Sequence, residues 1–165
     1  LYSIDRTVDV TKVTDFKKGL SVIKFSNDRA DGGVVHDSQF PDMDIPFMRV
    51  AEAYLTYAEA NLRSSNGKAA DALKAVNDLR TRSHATPIVG LNLDKVLDEW
   101  AREFYFEGRR RIDLIRFGYF SGTNYNWDWK GGVAAGTSFD SHYDLMPLPP
   151  GDLNANSNLK QNKGY

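Results

Sequence analysis

Two stretches with helical apolar spacing, separated by one short turn, constrain this fold more than any other feature of the sequence. Apolar residues recur from Val50 to Leu62 at spacings of three and four, which places them on one face of a helix. The pattern is repeated from Ala69 to Leu79. Between the two stretches, Ser64-Ser65-Asn66-Gly67 is typical of a tight turn. The pattern predicts an antiparallel helix hairpin of about 34–36 residues, which is close to the length of a tetratricopeptide unit.

A third helix is predicted to begin after Asn92, whose side chain suits an N-cap position. Its apolar side spans residues 93–104, Gly108 interrupts it, and residues 109–117 are predicted to continue as helix. From residue 118 onward the chain is rich in glycine, asparagine and aromatic residues, and it ends in a proline-containing tail that we expect to be extended. The predicted fold class is all-α, with tetratricopeptide-like helix pairs, long loops and this extended C-terminal tail.

The first 47 residues have a different character from the rest. Pro41 and Pro46 disfavour a helix in the stretch before residue 48. We therefore assign residues 1–47 to an extended or looped segment that belongs to a longer N-terminal part, and residues 48–165 to a helical C-terminal domain. The chain begins at Leu1 without an initiator methionine or a signal peptide, so we interpret it as a mature fragment or a piece of a longer protein.

Composition excludes several kinds of function. The 165 residues include no cysteine, which rules out disulfides, iron–sulfur clusters and thiol catalysis. A formal net charge of -1 gives no electrostatic reason to expect nucleic acid as a partner. His36, His84 and His142 are scattered without the spacing of metal ligands, and no nucleotide-binding motif is present. We therefore expect no metal and no cofactor.

A dense run of charges between Glu99 and Arg116 is the most distinctive segment. Glu99, Glu103 and Glu107 are four residues apart, so they are predicted to share a helix face, where like charges repel unless cations lie among them. We interpret the segment as a structural ion-pair network, which comprises Glu99, Arg102, Glu103, Glu107, Arg110, Arg111, Asp113 and Arg116. The alternative is a pair of catalytic carboxyl groups for glycoside hydrolysis, which needs one carboxyl group held protonated across a cleft. Arginine neighbours keep carboxylates ionised, so we predict no catalytic residue here.

Four stretches, in order along the chain, carry a resemblance to a known protein family. They are residues 49–60 (RVAEAYLTYAEA), residues 77–82 (NDLRTR), residues 99–118 (EWAREFYFEGRRRIDLIRFG) and residues 145–165, with LMPLP and a final QNKGY. Their content and order resemble those of the SusD/RagB family. Three positions depart from the family pattern: Trp100 stands where Arg is common, Phe104 where Leu is common, and Lys163 where Pro is common.

The resemblance implies a lipoprotein on the outer-membrane surface that captures glycans and is not an enzyme. Such a protein lies over a SusC-like TonB-dependent transporter, passes the glycan to it, and carries a lipid anchor outside the segment represented by this chain. Likeness to starch-uptake members makes starch the first ligand to expect. Two alternatives remain open: a helical scaffold that only contacts the transporter, with glycan binding elsewhere in the protein, and a glycoside hydrolase.

A row of aromatic residues is the candidate glycan-binding site within the chain. If the segment is extended, Tyr125, Trp127 and Trp129 point to one face, and Asn126 lies on the other. A flat aromatic row can stack against the C–H faces of sugar rings, and a neighbouring amide can bond their hydroxyl groups. The same rings could instead pin a long loop onto the helices. In the family, the glycan site is made largely by residues that precede this segment.

Overall fold

We describe the fold from a computed structural model. It describes residues 43–165 and, before them, residues 11, 12, 14, 19, 22, 24–29, 31–37, 39 and 40. Much of the extended segment predicted for residues 1–47 lies outside the described residues.

The described part of the chain is helical, which confirms the all-α fold class. Its helices are α1 (Val50–Arg63), α2 (Ala69–Arg82), α3 (Leu93–Glu103), α4 (Arg110–Arg116) and α5 (Pro150–Ala155), with short 3₁₀ turns at Lys130–Gly132 and Ser141–Asp144. The described residues include no β-strand, only one isolated antiparallel bridge between Gly122 and Phe139. The tail is not extended throughout, because α5 interrupts it, with Pro150 at the first helical position, where a missing N–H costs nothing.

The described residues fall into two compact units. Those of residues 21–110 form the first unit, which contains α1, α2 and α3. Those of residues 111–165 belong to the second unit, which contains α5, both 3₁₀ turns and the long connecting loops. No helix in the portion that the structure describes is both long enough and apolar enough to cross a membrane.

The predicted hairpin is confirmed in the first unit. α1 packs against both α2 and α3. Their buried apolar residues are Ala51, Leu55 and Ala58 of α1, Ala72, Ala75, Val76 and Leu79 of α2, and Val96, Leu97 and Trp100 of α3. Leu55 is fully buried, and burial of a leucine side chain contributes about 2 kcal/mol. The alanines let the helix axes approach closely, so that three short helices share one core.

The turn between α1 and α2 depends on a glycine. A Cβ atom at Gly67 would lie 1.7 Å from the backbone oxygen of Asn61, which no side chain can tolerate. The Asn61 side chain accepts a hydrogen bond from the backbone N–H of Lys68 at 2.9 Å, just where α2 begins. This donor is one of those that the start of a helix leaves without an intrahelical partner. Asn61 therefore ties the end of α1 to the start of α2.

Helix α3 begins as predicted and ends earlier than the charge pattern suggests. The Asn92 side chain accepts a hydrogen bond from the Lys95 N–H at 2.9 Å and so caps the helix. After Glu103 the backbone turns, with positive φ angles of 61° at Phe106 and 76° at Gly108. The prediction that three glutamates share one helix face is therefore wrong for Glu107, which lies in the turn between α3 and α4.

Candidate functional site

Arg49, the residue just before α1, lies at the centre of the charged cluster in the first unit. Its guanidinium donates to both carboxylate oxygens of Glu107 at 2.8 Å and also bonds to Glu103. The same group lies 4.1 Å from the centroid of the Phe104 ring, a cation–π contact. The Lys24 ammonium group bonds to Glu107 as a second cation. Arg49 thus holds together two carboxylates that lie near the end of α3 and in the following turn.

Helix α2 supplies two further arginines from its last turn. Arg80 donates to Glu99 at 2.5 Å, and Arg82 donates to Glu103 at 2.6 Å. Arg102 of α3 also bonds to Glu99. The carboxylates are mostly buried, with side-chain exposures of 10% for Glu99 and 11% for Glu103. Each buried carboxylate is therefore matched by more than one cation, and the ion pairs join α2 to α3.

The electrostatics of this cluster hold the carboxyl groups ionised. Burial alone would raise the pKa of Glu103, but the hydrogen bonds from Arg82 and Arg49 outweigh burial and lower it. At Glu107 burial is likewise outweighed, and bonds from Arg49 and Lys24 lower the pKa. A general acid for glycoside hydrolysis needs the opposite shift, toward a raised pKa. These two carboxyl groups are consequently unsuited to donate a proton near neutral pH.

Trp100, which departs from the family pattern, has a defined role in the core. Its indole N–H donates to the buried carboxylate of Glu59 at 3.0 Å, and Arg63 bonds the other oxygen of that carboxylate at 2.9 Å. The Arg109 guanidinium lies 3.8 Å from the Trp100 ring centroid and donates to Glu52 at 2.9 Å. A neutral donor at position 100 thus bonds a buried carboxylate of α1 and provides a flat surface for Arg109.

The other predicted network residues have separate partners. In the first unit, Arg110 donates to the backbone oxygen of Leu97 at 3.2 Å. In the second unit, Arg111 donates to the backbone oxygen of Tyr143 at 2.5 Å. Asp113, which is 1% exposed, accepts a hydrogen bond from Arg116 at 2.9 Å within α4. The segment therefore contributes to two clusters, one in each unit.

A cleft of about 740 Å³ lies beside the ion pairs of the first unit. Its lining combines cations, carboxylates and apolar groups, among them Arg49, Arg82, Glu103, Glu107 and Tyr105. The two glutamates that face this cleft are held by the arginines and Lys24 described above, and Asp44 adds a third carboxylate to its lining. Nowhere in the described residues do three or more histidine, aspartate or glutamate side chains cluster as they would around a metal ion.

The candidate glycan-binding residues are part of an aromatic cluster in the second unit, around a buried lysine. Lys130 is 1% exposed, and its ammonium group donates to the backbone oxygen of Tyr125 at 2.9 Å and to the Asn126 side chain at 3.2 Å. The same ammonium lies 4.6 Å from the Trp127 ring centroid and 5.1 Å from that of Phe139. The loop thus folds around one cation that rings and neutral oxygens surround.

The aromatic row is not the flat platform that an extended strand would give. The rings of Tyr125 and Trp127 are 5.8 Å apart and tilted by 43°, and Trp127 also contacts Phe120 and Phe139. At Trp129 the backbone is left-handed, with φ of 65°, so the alternation of faces ends there. Trp127 and Trp129 are half-buried, whereas Tyr125 and Asn126 are exposed. The extended segment that a single aromatic face requires is therefore not present, because the chain turns at Trp129 and encloses Lys130.

Sequence reasoning missed the cations that bind the glutamates of the first unit. It sought partners within residues 99–116, whereas Arg49, Arg80, Arg82 and Lys24 come from other segments. A signal was present, since Arg49 begins one of the four distinctive stretches and Arg80 and Arg82 belong to another.

Comparison with known proteins gives consistent results. A model of the SusD family matches residues 2–165. The starch-binding protein SusD of Bacteroides thetaiotaomicron is 47% identical over 161 residues, which is 97% of this chain and 28% of that protein. A solved SusD superfamily protein from Bacteroides vulgatus has a TM-score of 0.53 and 28% identity over 72% of this chain and 27% of its own. Another crystal structure from Bacteroides vulgatus reaches a TM-score of 0.57 with 33% identity, over 76% of this chain and 30% of its own. The chain thus spans less than a third of the length of each of these relatives.

Proposed function

This chain belongs to the SusD family, and from that premise we propose that its protein binds glycans on the bacterial surface without cleaving them. The observation that carries the proposal is the 47% identity to a starch-binding protein over 97% of the chain. An α-glucan such as starch is accordingly the ligand class to test first. Recognition would rest on ring stacking and on hydrogen bonds to hydroxyl groups, each contributing on the order of 1 kcal/mol.

The ion pairs of the first unit support the non-catalytic part of the proposal. Glu103 and Glu107 are the two glutamates that line the large cleft, and the pKa of each is lowered by its cationic partners. A glycosidase with these groups would lack its proton donor. An assay for reducing ends released from oligosaccharides tests this directly, and release above the background of protein-free buffer would refute it.

Within this chain, we place the candidate glycan contact on the aromatic cluster of the second unit. Tyr125 and Asn126 are its exposed members, so they are the first to meet a sugar ring, and Trp127 and Trp129 stand half-buried beside them in sequence. The exposed tyrosine offers a stacking surface, and the amide of Asn126 has donors that its bond to Lys130 does not use.

The proposal extends to location and partner. In keeping with the family, the protein is held at the outer membrane by a lipid anchor outside this chain and passes its glycan to a SusC-like TonB-dependent transporter. We keep residues 48–165 as its C-terminal helical domain. The rival is a scaffold role, in which these residues contact only the transporter and the rest of the protein binds the glycan.

Retention on starch-containing gels separates the two roles. Replacing Tyr125 with Ala removes one stacking ring, so we expect about a fivefold loss of affinity in the complete protein. Tyr105→Ala is the matched control, since this tyrosine is also exposed and lies in the other unit. The two tryptophan variants, Trp127→Ala and Trp129→Ala, are compared in the same way if they fold normally. If the gel retains all three variants as strongly as the unsubstituted protein, the scaffold role is favoured.

A further inference from the structure

The buried lysine of the second unit fixes the oxygens of two neighbouring residues. Lys130 is 1% exposed, and its ammonium group donates to the backbone oxygen of Tyr125 at 2.9 Å and to the side-chain oxygen of Asn126 at 3.2 Å. The rings of Trp127 and Phe139 also lie against it. Because the ammonium group is enclosed in this way, it cannot itself reach a ligand. Any effect of Lys130 on binding must therefore act through the residues that it holds.

The chemistry of the two groups determines which way the Asn126 amide points. A lysine ammonium group has three donors and no acceptor, whereas an asparagine amide has an oxygen that accepts and a nitrogen that donates. Only the oxygen can face Lys130, because the opposite orientation would place donors against a cation. Lys130 is buried and Asn126 is exposed, so the NH2 group lies on the outer side of the amide.

The outward NH2 group is available to a ligand. Within the described residues it donates no hydrogen bond, since the printed contact of the Asn126 side chain is the one that its oxygen accepts. The residue before it, Tyr125, is 37% exposed. A sugar ring stacked on the tyrosine can accept a hydrogen bond from the neighbouring amide. A ring and a pair of donors are thus adjacent in the chain.

The backbone around Asn126 is held in place as well. A Cβ atom at Gly136 would clash with the backbone oxygen of Trp127 and lie 3.4 Å from the Asn126 Cβ atom, so the chain passes closely over itself here. The φ angle of Gly136 is 73°, which also favours glycine. The Lys130 N–H donates to the Trp127 oxygen at 3.1 Å. A donor that is fixed before the ligand arrives loses little conformational entropy on binding.

We propose that Lys130 is a positioning residue for glycan binding, which makes Asn126 a donor to an acceptor oxygen of the sugar. The inference rests on the glycan contact proposed above for the aromatic cluster. Hydroxyl, ether and ring oxygens all accept hydrogen bonds, so an outward NH2 group tolerates each of them. An outward oxygen at position 126 would instead require a hydroxyl group that donates. The orientation of the amide therefore determines which sugar derivatives bind.

Ligand selectivity of the complete protein tests this orientation. The probes are β-cyclodextrin, a cyclic α-glucan, and its fully O-methylated form, in which every hydroxyl group has become an ether that accepts but cannot donate. Asn126→Asp keeps one oxygen against Lys130 and replaces the outer NH2 group with a second oxygen. We expect the ratio of methylated to unmethylated affinity, measured by titration calorimetry, to fall about tenfold relative to the unsubstituted protein. Steric effects of the methyl groups cancel, because the same two ligands are compared in each protein.

Asn124→Asp is the matched control for charge. Asn124 is exposed in the same loop, and its substitution adds the same negative charge two positions earlier in the chain. Its affinity ratio should equal that of the unsubstituted protein. An unchanged ratio in Asn126→Asp, or an equal fall in Asn124→Asp, would overturn the inference and leave the proposed function intact. If the unsubstituted protein bound neither cyclodextrin nor starch, the proposed ligand class would be refuted, and the inference with it.

A double-mutant cycle tests whether Lys130 acts through Asn126. We expect Lys130→Met to weaken the binding of β-cyclodextrin about threefold, and most of this effect to disappear in the Asn126→Ala background, where the amide is absent. Equal losses in the two backgrounds would mean that Lys130 supports the loop as a whole, which contradicts positioning through the amide. The Asn126→Asp experiment retains the lysine, so it decides the matter even if Lys130→Met does not fold.

Discussion

The charged cluster of the first unit and the aromatic cluster of the second unit are each built around a cationic side chain, but they neutralise it in different ways. Arg49 is half-buried, whereas Lys130 is fully buried. Arg49 meets full negative charges, on Glu103 and Glu107. Lys130 meets only partial charges, from two neutral oxygens and two aromatic rings. In the helical unit, carboxylates neutralise the cation through ion pairs. In the loop of the second unit, ring faces and carbonyl and amide dipoles take that role.

The two clusters also differ in how far apart in sequence their members lie. Arg49 bonds to residues 54 and 58 positions away, so it joins the start of α1 to the end of α3 and the turn that follows. Lys130 donates to residues only five and four positions away. Loss of Arg49 should therefore disturb the packing between helices, whereas loss of Lys130 should disturb mainly its own loop. The expected effects on stability therefore decrease from Arg49, through acid and Lys130, to Asn126.

Replacing Arg49 with Met should have the largest effect. It removes one cation from each of two mostly buried carboxylates, which keep Arg82 and Lys24 as partners, so we expect a loss of about 3 kcal/mol, the lower end of the cost of breaking a buried ion pair. Denaturant unfolding of the complete protein measures the change in free energy. Arg29→Met is the control, since the Arg29–Asp31 pair is largely exposed and its loss should not be measurable. Equal stability of the two variants would contradict a structural role for the network.

Acid should have the second-largest effect, because it weakens the charged cluster. The pKa values of Glu103 and Glu107 are lowered by folding, so the stability that these groups provide is complete above their unfolded pKa and is lost as the pH falls through the folded pKa. We expect the thermal midpoint to begin falling below about pH 4.5. A Glu103→Gln, Glu107→Gln variant should be less stable at pH 7 and show a shallower fall. An equally steep fall in that variant would assign the acid sensitivity to other groups.

Replacing Lys130 with Met should have an intermediate, local effect. The oxygens of Tyr125 and Asn126 lose their donor and the rings lose a cation, at a cost of about 1–3 kcal/mol. Because Trp127 lies against the ammonium group, its fluorescence should change. Lys160→Met is the control, since Lys160 is exposed. If Lys130→Met instead destabilised the protein as much as Arg49→Met, the local character of the cluster would be refuted.

Replacing Asn126 with Ala should have the smallest effect of the four. The Lys130 ammonium keeps its bond to the Tyr125 oxygen and both ring contacts, so we expect a loss of about 0.5–1 kcal/mol. Comparison with Lys130→Met in the same unfolding experiment separates the contribution of the amide from that of the rings. A loss as large as that of Lys130→Met would mean that the amide, not the rings, holds the cation.

Much of the fold could be predicted from the sequence because local patterns determine helices. The spacing of apolar residues predicted α1 and α2, and Asn92 marked the start of α3, since an asparagine side chain bonds the free N–H groups of a first turn. The end of α3 was predicted less well. The four-residue spacing of the glutamates suggested continuous helix to Glu107, whereas the left-handed backbone at Phe106 and Gly108 ends it earlier.

The candidate site was predictable in its residue types but not in its partners. The charged run indicated paired carboxylates, yet it could not identify Arg49 or Lys24, because an ion pair carries no local periodicity. The aromatic row was visible as well. Its shape was not visible, because the alternation of side chains between two faces holds only for an extended chain. In the structure, the chain turns at Trp129 and buries Lys130.

The sequence by itself determined the family, the helical class and the concentration of charge between Glu99 and Arg116, since each is carried by short stretches of neighbouring residues. Only the tertiary structure decided which cation meets which carboxylate, how the aromatic rings surround Lys130, and which face of α1 stays uncovered. The physical reason is that these contacts join residues from separate segments, and their free energy depends on distance and burial in three dimensions.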